Sequence, residues 1–393
     1  MVSQRMKELG TARSVIRELF EYGKVRAAEV GAENVFDFSL GNPSVPAPAA
    51  VNETAIRLLQ EQPDLIHAYT SAQGAADARE RFSASLNRRF GTGYTPDRLY
   101  LTVGAAASLC CVFNGLTCPG DEFVVFAPYF TEYKVFIEGA GARMTLIPPE
   151  IEGFQIDFET FEQAINEHTK GVVINTPNNP SGVVYSRKTL ERLAEILGEK
   201  SREFGHPIYL ISDEPYREIV YAGTEVPWVP HIYPNTIVCY SFSKSLSLPG
   251  ERIGYVLVPS RVEDARDVYA AVAGAGRSLG YVNAPSLFQQ VTSLCCDMTS
   301  DLRVYEENRN LFVSSLQEMG YHVVEPGGAF YLFPRSLEPD DAAFSERAKK
   351  LDLLVVPGGG FGAPGHVRIS YCVQTETIRR ALPKFQALAD SYR

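Results

Sequence analysis

The stretch Thr236-Ile-Val-Cys-Tyr-Ser-Phe-Ser-Lys-Ser-Leu-Ser-Leu-Pro-Gly-Glu-Arg-Ile-Gly-Tyr255 decides the fold. It opens as a short apolar run and passes at Ser241 into small hydroxyl residues around Lys244. An apolar run bounded in this way reads as a buried strand feeding a loop. Two upstream segments have the same form. Lys170-Gly-Val-Val-Ile-Asn-Thr-Pro-Asn-Asn-Pro-Ser-Gly182 runs into a turn rich in Asn, Pro and Gly, and Pro207-Ile-Tyr-Leu-Ile-Ser-Asp-Glu-Pro-Tyr216 ends on polar residues at Asp213. Strand candidates at 122–126, 143–147, 171–174, 209–211 and 236–240 alternate with helical stretches such as 188–200. That alternation predicts an α/β fold with a mostly parallel sheet. In such sheets ligands bind at the carboxyl ends of the strands, which is where these three segments deliver their polar groups.

After about residue 259 the pattern changes. Helical segments lead into Gly320-Tyr-His-Val-Val324, Ala329-Phe-Tyr-Leu-Phe333 and Val367-Arg-Ile-Ser370, then a closing helix from about Thr375. This reads as a smaller α+β domain that also takes in the amino-terminal segment. The expected division is a large domain over 46–270 and a small one built from 1–45 and 271–393. Val356-Pro-Gly-Gly-Gly-Phe-Gly362 reads as a flexible loop. No βαβ fingerprint surrounds its glycines, so it is not a nucleotide cradle.

Composition narrows the function classes. A chain of 393 residues suits two domains, and 45% hydrophobic content is ordinary for a globular protein. A net charge of −10 argues against nucleic-acid or anionic-membrane partners. The first residues hold no apolar core for a signal peptide, and no apolar run approaches the ~18 residues of a membrane span. Seven cysteines include the adjacent pairs Cys110-Cys111 and Cys295-Cys296 without Cys-x-x-Cys spacing, and the six histidines have no ligand spacing. The expectation is reduced thiols in the cytoplasm and no metal.

The chemistry comes from the residues that share the sheet edge. The Lys244 amine can form a Schiff base with an aldehyde, and Ser241, Ser243 and Arg252 can hold a phosphate. A buried carboxylate, with Asp213 the candidate, would keep a pyridine ring nitrogen protonated. Asn179 and Tyr216 can donate to a phenolic ring oxygen. Each has a plainer reading alone: a solvated lysine, a turn asparagine, a helix-capping aspartate, a half-buried tyrosine. Their joint order along the chain favours the site.

Together the three segments resemble the signature of the class I/II aminotransferases, pyridoxal-phosphate enzymes of fold type I. The family patterns are Asn-Pro-x-Asn-Pro-Thr-Gly, Asp-Glu-x-Tyr, and Ser-x-Ser-Lys with Pro-Gly-x-Arg-x-Gly-Tyr. The first carries an extra residue before its Asn-Pro here, and Ser for Thr. The resemblance runs from about Phe38 to Tyr371. It implies a seven-stranded sheet sandwiched by helices, pyridoxal 5'-phosphate held on Lys244, and a homodimer with shared active sites. Leu101-Thr-Val-Gly-Ala-Ala-Ala-Ser-Leu109 resembles the phosphate-holding turn, with Gly104 and the amides of Ala105 and Ala106 facing the anion. Phe130, with Tyr129 as the alternative, corresponds to the ring that stacks on the pyridine. Tyr69 corresponds to the tyrosine that reaches the neighbouring subunit's phosphate. Gly41, Asn179 and Arg368 correspond to the substrate-carboxylate site, where an arginine suits bidentate pairing.

The implied activity moves an amino group between an L-amino acid and a 2-oxo acid such as 2-oxoglutarate, with Lys244 as general base and acid. Cofactor residues alone leave open a lyase or synthase acting at the β- or γ-carbon. A transcription regulator would need a DNA-binding region for which the first ~35 residues are too short, and an inactive structural protein would not need Lys244, Asp213, Asn179 and Arg368 together. Donor choice stays open. Some bacterial aspartate aminotransferases of this subgroup carry a lysine shortly after the phosphate-loop glycines, and Gly104-Ala-Ala-Ala-Ser108 has no cation there.

Overall fold

The computed structural model describes residues 2–12 and 14–393. Seven strands form the central sheet: β2 (Leu99–Thr102), β3 (Glu122–Phe126), β4 (Arg143–Ile147), β5 (Thr169–Asn175), β6 (Tyr209–Asp213), β7 (Thr236–Ser241) and β8 (Gly254–Leu257). Their spatial order is β2-β8-β7-β6-β5-β3-β4, and only β8 runs against the others. The parallel α/β expectation therefore holds, with seven strands as the resemblance implied.

Alternation along each strand explains the layers. Phe123, Val125, Val173, Ile211 and Cys239 face one side with Val112, Phe113 and Val272, while Val124, Phe126, Val172, Ile174 and Leu210 face the other with Leu190, Leu193 and Leu197. Successive side chains of a strand point to opposite faces, so a sheet covered on both sides needs apolar residues at nearly every position. Gly171 answers a tight spot in β5, since a Cβ there would lie 2.9 Å from Tyr209 O.

The chain's two ends meet in a second core. β1 (Phe36–Asp37) pairs in parallel with β10 (Leu353–Leu354), and β9 (Tyr331–Leu332), β11 (Val356–Pro357) and β12 (Val367–Ser370) form an antiparallel sheet in the order β11-β12-β9. Phe36, Phe38 and Val45 pack with Phe312, Phe330, Val367 and Phe385. The first seven helices are α1 (Gln4–Thr11), α2 (Val15–Val30), α3 (Ala49–Glu61), α4 (Pro63–His67), α5 (Ala76–Phe90), α6 (Ala105–Leu116) and α7 (Glu132–Gly139). The helix Ser286–Leu294 supplies Val291 to a cluster with Val51, Phe82 and Tyr255.

Two readings of the carboxyl-terminal part need correction. Residues 320–324 form no strand, although His322 O accepts from Arg335 N at 3.0 Å. The glycine-rich 356–362 segment is not a loose loop: β11 is followed by a single turn, Gly358–Phe361, with Gly358 and Phe361 buried. Gly358 N donates to His366 O at 2.7 Å, and Gly359 N donates to Asp341 Oδ2 at 2.6 Å. Flexible glycines are fixed here by a backbone and a side-chain partner that the sequence does not reveal.

Candidate active site

Strand register sets the site. Asn175 lies beside Asp213, Asp213 beside Cys239, and Gly254 between Thr102 and Ser241. The carboxyl ends of β2, β5, β6 and β7 thus share one edge, where a cavity of about 520 Å³ opens. It is lined by Gly41, Ala105, Ala106, Phe130, Asn179, Asp213, Tyr216, Ser241, Ser243, Lys244, Arg252 and Arg368. These come from regions of sequence as far apart as Gly41 and Arg368. Tyr69 does not line the cavity and is 95% exposed. Tyr129 packs in the core, leaving Phe130 as the aromatic ring of that pair on the cavity wall.

Asp213 closes the bottom of the cavity. Its Oδ2 accepts from Tyr133 Oη at 2.6 Å, and its buried Oδ1 has no partner. Burial lifts its pKa from 3.8 to about 7, against the Tyr133 hydrogen bond, with nearby Glu214 adding to the rise. Asn175 braces this floor, donating to Asp213 O at 2.9 Å and accepting from Asn179 N at 2.7 Å.

Lys244 sits in one helical turn, Phe242–Ser245, directly after β7. Its Nζ donates to Gly41 O at 2.6 Å. Burial, with smaller contributions from Arg368 and Arg252, lowers its pKa to about 8 despite the opposing effect of Cys372. Arg368, on β12, donates to Asn179 Oδ1 at 3.1 Å and Ser39 O at 2.5 Å. Its guanidinium lies between Tyr331 and Phe361, 4.9 and 5.0 Å from their ring centres, and its buried Nε has no partner. Tyr216 and Tyr331 join through their hydroxyls at 2.9 Å.

The opposite wall is built for an anion. Gly104 has φ +91°, and a Cβ there would lie 2.7 Å from Arg252 Nη2. Glycine therefore brings the start of α6 close to the arginine. No side chain caps α6, so its first amides are open to the cavity beside Ser241 and Ser243.

This arrangement fits pyridoxal phosphate: an amine for its aldehyde, an anion cradle for its phosphate, and a buried carboxylate oxygen lacking the cationic partner that a protonated pyridine nitrogen offers. The sequence placed Tyr133 and Tyr331, with Tyr129, Phe130 and Phe330, only in the aromatic surroundings of the substrate; it did not point to Asn175, nor to α2 and its cap, which bring Ser14, Ile16, Arg17 and Phe20 to the cavity. Asn175 and Tyr133 act through neighbours, and α2 lies too far from the motifs for spacing to connect it.

Fold and site together define a pyridoxal-phosphate enzyme of fold type I. The family model for aminotransferase class I and II matches residues 33–385, and the chain belongs to that family. It is 32% identical to an aspartate aminotransferase of Thermotoga maritima, covering 100% of both chains. It is 31% identical to an aspartate/prephenate aminotransferase of Thermus thermophilus, covering 88% of each. Among solved structures, an amino transferase from Eubacterium rectale superposes with a TM-score of 0.98 at 55% identity, over 100% of this chain and 99% of that one. The Thermotoga maritima aspartate aminotransferase gives 0.87 at 31% identity, over 99% of this chain and 100% of that one. The protein is a pyridoxal-phosphate-dependent aminotransferase. Among the described residues no helix is long and apolar enough to cross a membrane, and no cluster of side chains could hold a metal ion.

Proposed function

We propose that this aminotransferase passes the amino group of an L-amino acid to 2-oxoglutarate, with Lys244, Asp213 and Arg368 as its working centre. The observation that carries this reading is their convergence on one cavity, Asp213 and Lys244 from the ends of adjacent strands and Arg368 from β12 more than a hundred residues further on. When bound, pyridoxal phosphate supplies an aldehyde that takes up amino groups and a ring that accepts the electron pair freed at the α-carbon. Arg252, Ser241, Ser243, Gly104 and the α6 amides of Ala105 and Ala106 would hold its phosphate. Phe130 would cover its ring. Asn179 and Tyr216 would serve the ring's oxygen, and ionised Asp213 its nitrogen. Arg368 pairs with the substrate α-carboxylate beside Gly41, orienting the α-hydrogen toward Lys244. Lys244 Nζ, easily deprotonated because it is buried, then takes the α-proton.

We further propose a homodimer in which Tyr69 completes the partner's phosphate site. Its 95% exposure outside its own cavity supports that role, as do exposed Ile56, Leu59 and Leu65 on the neighbouring helices α3 and α4. The seven unpaired cysteines support a cytoplasmic location. The proposed division into residues 46–270 and the two chain ends is supported by the packing of Phe36 and Phe38 against Phe385 and Phe312, while the helix Ser286–Leu294 packs with the large part.

A panel of amino donors with 2-oxoglutarate, followed through the cofactor's absorbance, tests the reaction. Glutamate formation in step with donor consumption is expected. Pyruvate release without an acceptor would instead identify a lyase.

A further inference from the structure

Among the described residues, the cavity has one cation without an assigned task. Lys244 serves the reacting carbon, Arg252 the phosphate and Arg368 the α-carboxylate, but Arg17 also lines the wall. Arg17 is exposed, and none of the described residues pairs with its guanidinium. Its placement runs against local helix chemistry. Ser14 caps α2, its Oγ accepting from Arg17 N at 3.3 Å, so Arg17 occupies the third helical position. A capping box puts Glu or Gln there, and a helix amino terminus disfavours a positive charge. Local rules are broken most often where a residue answers to function. The backbone bond to Ser14 fixes where the side chain starts, and Phe20, one turn on, lines the same cavity.

Glu132, which opens α7, also lines the cavity. A carboxylate in a helix's first turn is already favoured by the helix dipole, so Glu132 has a structural reason to be there. Arg17 has none. The start of α6, residues 104–108, offers no cation that could share its role.

We propose that Arg17 is a specificity-determining residue that binds the far carboxylate of a dicarboxylic substrate while Arg368 holds the near one. The substrate class is a short dicarboxylic amino acid or 2-oxo acid. A guanidinium suits this task because its fork pairs with both oxygens of a carboxylate. The inference rests on the aminotransferase reading and adds the side chain that the cavity selects.

Succinate and butyrate separate the two carboxylate sites, because both have four carbons and only succinate has a second charge. With the holoenzyme, calorimetry should show succinate binding ~10–100-fold weaker to Arg17→Met than to wild type, the loss expected for a hydrogen bond between charged groups. Butyrate binding should change by less than about twofold, because its only carboxylate docks on Arg368. Arg17→Lys should recover part of the succinate affinity by keeping the charge without the fork. In turnover, KM for 2-oxoglutarate should rise with little change in kcat, the pattern of lost uniform binding. Equal weakening of both ligands would show that Arg17 only holds α2 in place, and unchanged succinate binding would show that it touches no substrate. A wild-type enzyme that transaminates neutral amino acids to neutral 2-oxo acids but no dicarboxylic ones would overturn this assignment together with the 2-oxoglutarate acceptor, and leave the pyridoxal-phosphate aminotransferase reading intact. An enzyme that loads cofactor yet transfers no amino group to any acceptor would sink both.

Discussion

At the residue scale, burial controls the two key titrations. Lys244, lowered to about 8, is half neutral near that pH and increasingly charged below it. Only the neutral amine attacks an aldehyde, so covalent capture of pyridoxal phosphate by the cofactor-free enzyme should slow about tenfold per unit below pH 8. Borohydride trapping at successive times measures that rate; a profile flat from pH 6 to 8 would mean that burial does not control the amine. Lys244→Ala should show neither trapping nor turnover. Asp213 works in the opposite sense. In the cofactor-free fold its pKa stands at about 7 against an ordinary 3.8, so between those values the folded chain keeps a proton that the unfolded chain has lost. Stability should therefore fall as the pH rises from 4 to 7, by at most about 4 kcal/mol at about 1.4 kcal/mol per unit. Asp213→Asn has nothing to ionise, so its cofactor-free form should lose less stability over that window. Parallel urea-unfolding profiles for the two proteins would refute this account.

At the element scale, the segment after β6 must hold Asp213 still. Glu214 and Arg217, 1% and 5% exposed, form an ion pair directly beneath it. Ser212 Oγ donates to Glu214 Oε1 at 2.7 Å, and the Arg217 guanidinium lies 4.8 Å from the Trp228 ring, which stacks on Phe90 at 4.0 Å. Breaking one side of a buried pair strands the other charge. Arg217→Met should cost about 3–5 kcal/mol in urea unfolding, and adding Glu214→Gln should recover much of that loss. A double variant no more stable than the single one would place the cost in lost packing around Trp228. These elements also show what the sequence could tell. The ends of β5, β6 and β7 were legible because an apolar run stopping at polar residues marks a strand end, and Asp213 and Lys244 lie at such stops. The fixing of 356–362, the missing strand at 320–324 and the arrival of α2 at the cavity were not legible. They depend on contacts between chain ends, and local pattern carries no record of those.

At the scale of the whole molecule, the proposed dimer makes a sharp prediction. Mixing Lys244→Ala chains with Tyr69→Phe chains yields heterodimers in which one site carries both lesions and the other neither. If Tyr69 reaches across a two-fold axis, they should regain about half of a wild-type dimer's activity. No recovery despite proven subunit exchange, or a fully active monomer in sedimentation, would confine Tyr69 to its own chain.

The Arg368 clamp also sets an order of events in the making of the protein. Thr102, Asn179, Asp213, Lys244 and Arg252 lie within one continuous stretch of chain, whereas Arg368 bonds Ser39 O and Asn179 Oδ1 from near the far end. Chains are synthesised from the amino terminus, and domains fold largely as they emerge. On the proposed assignment, the groups offered to pyridoxal phosphate, through Arg252, are therefore synthesised more than a hundred residues before Arg368, the group offered to a substrate carboxylate.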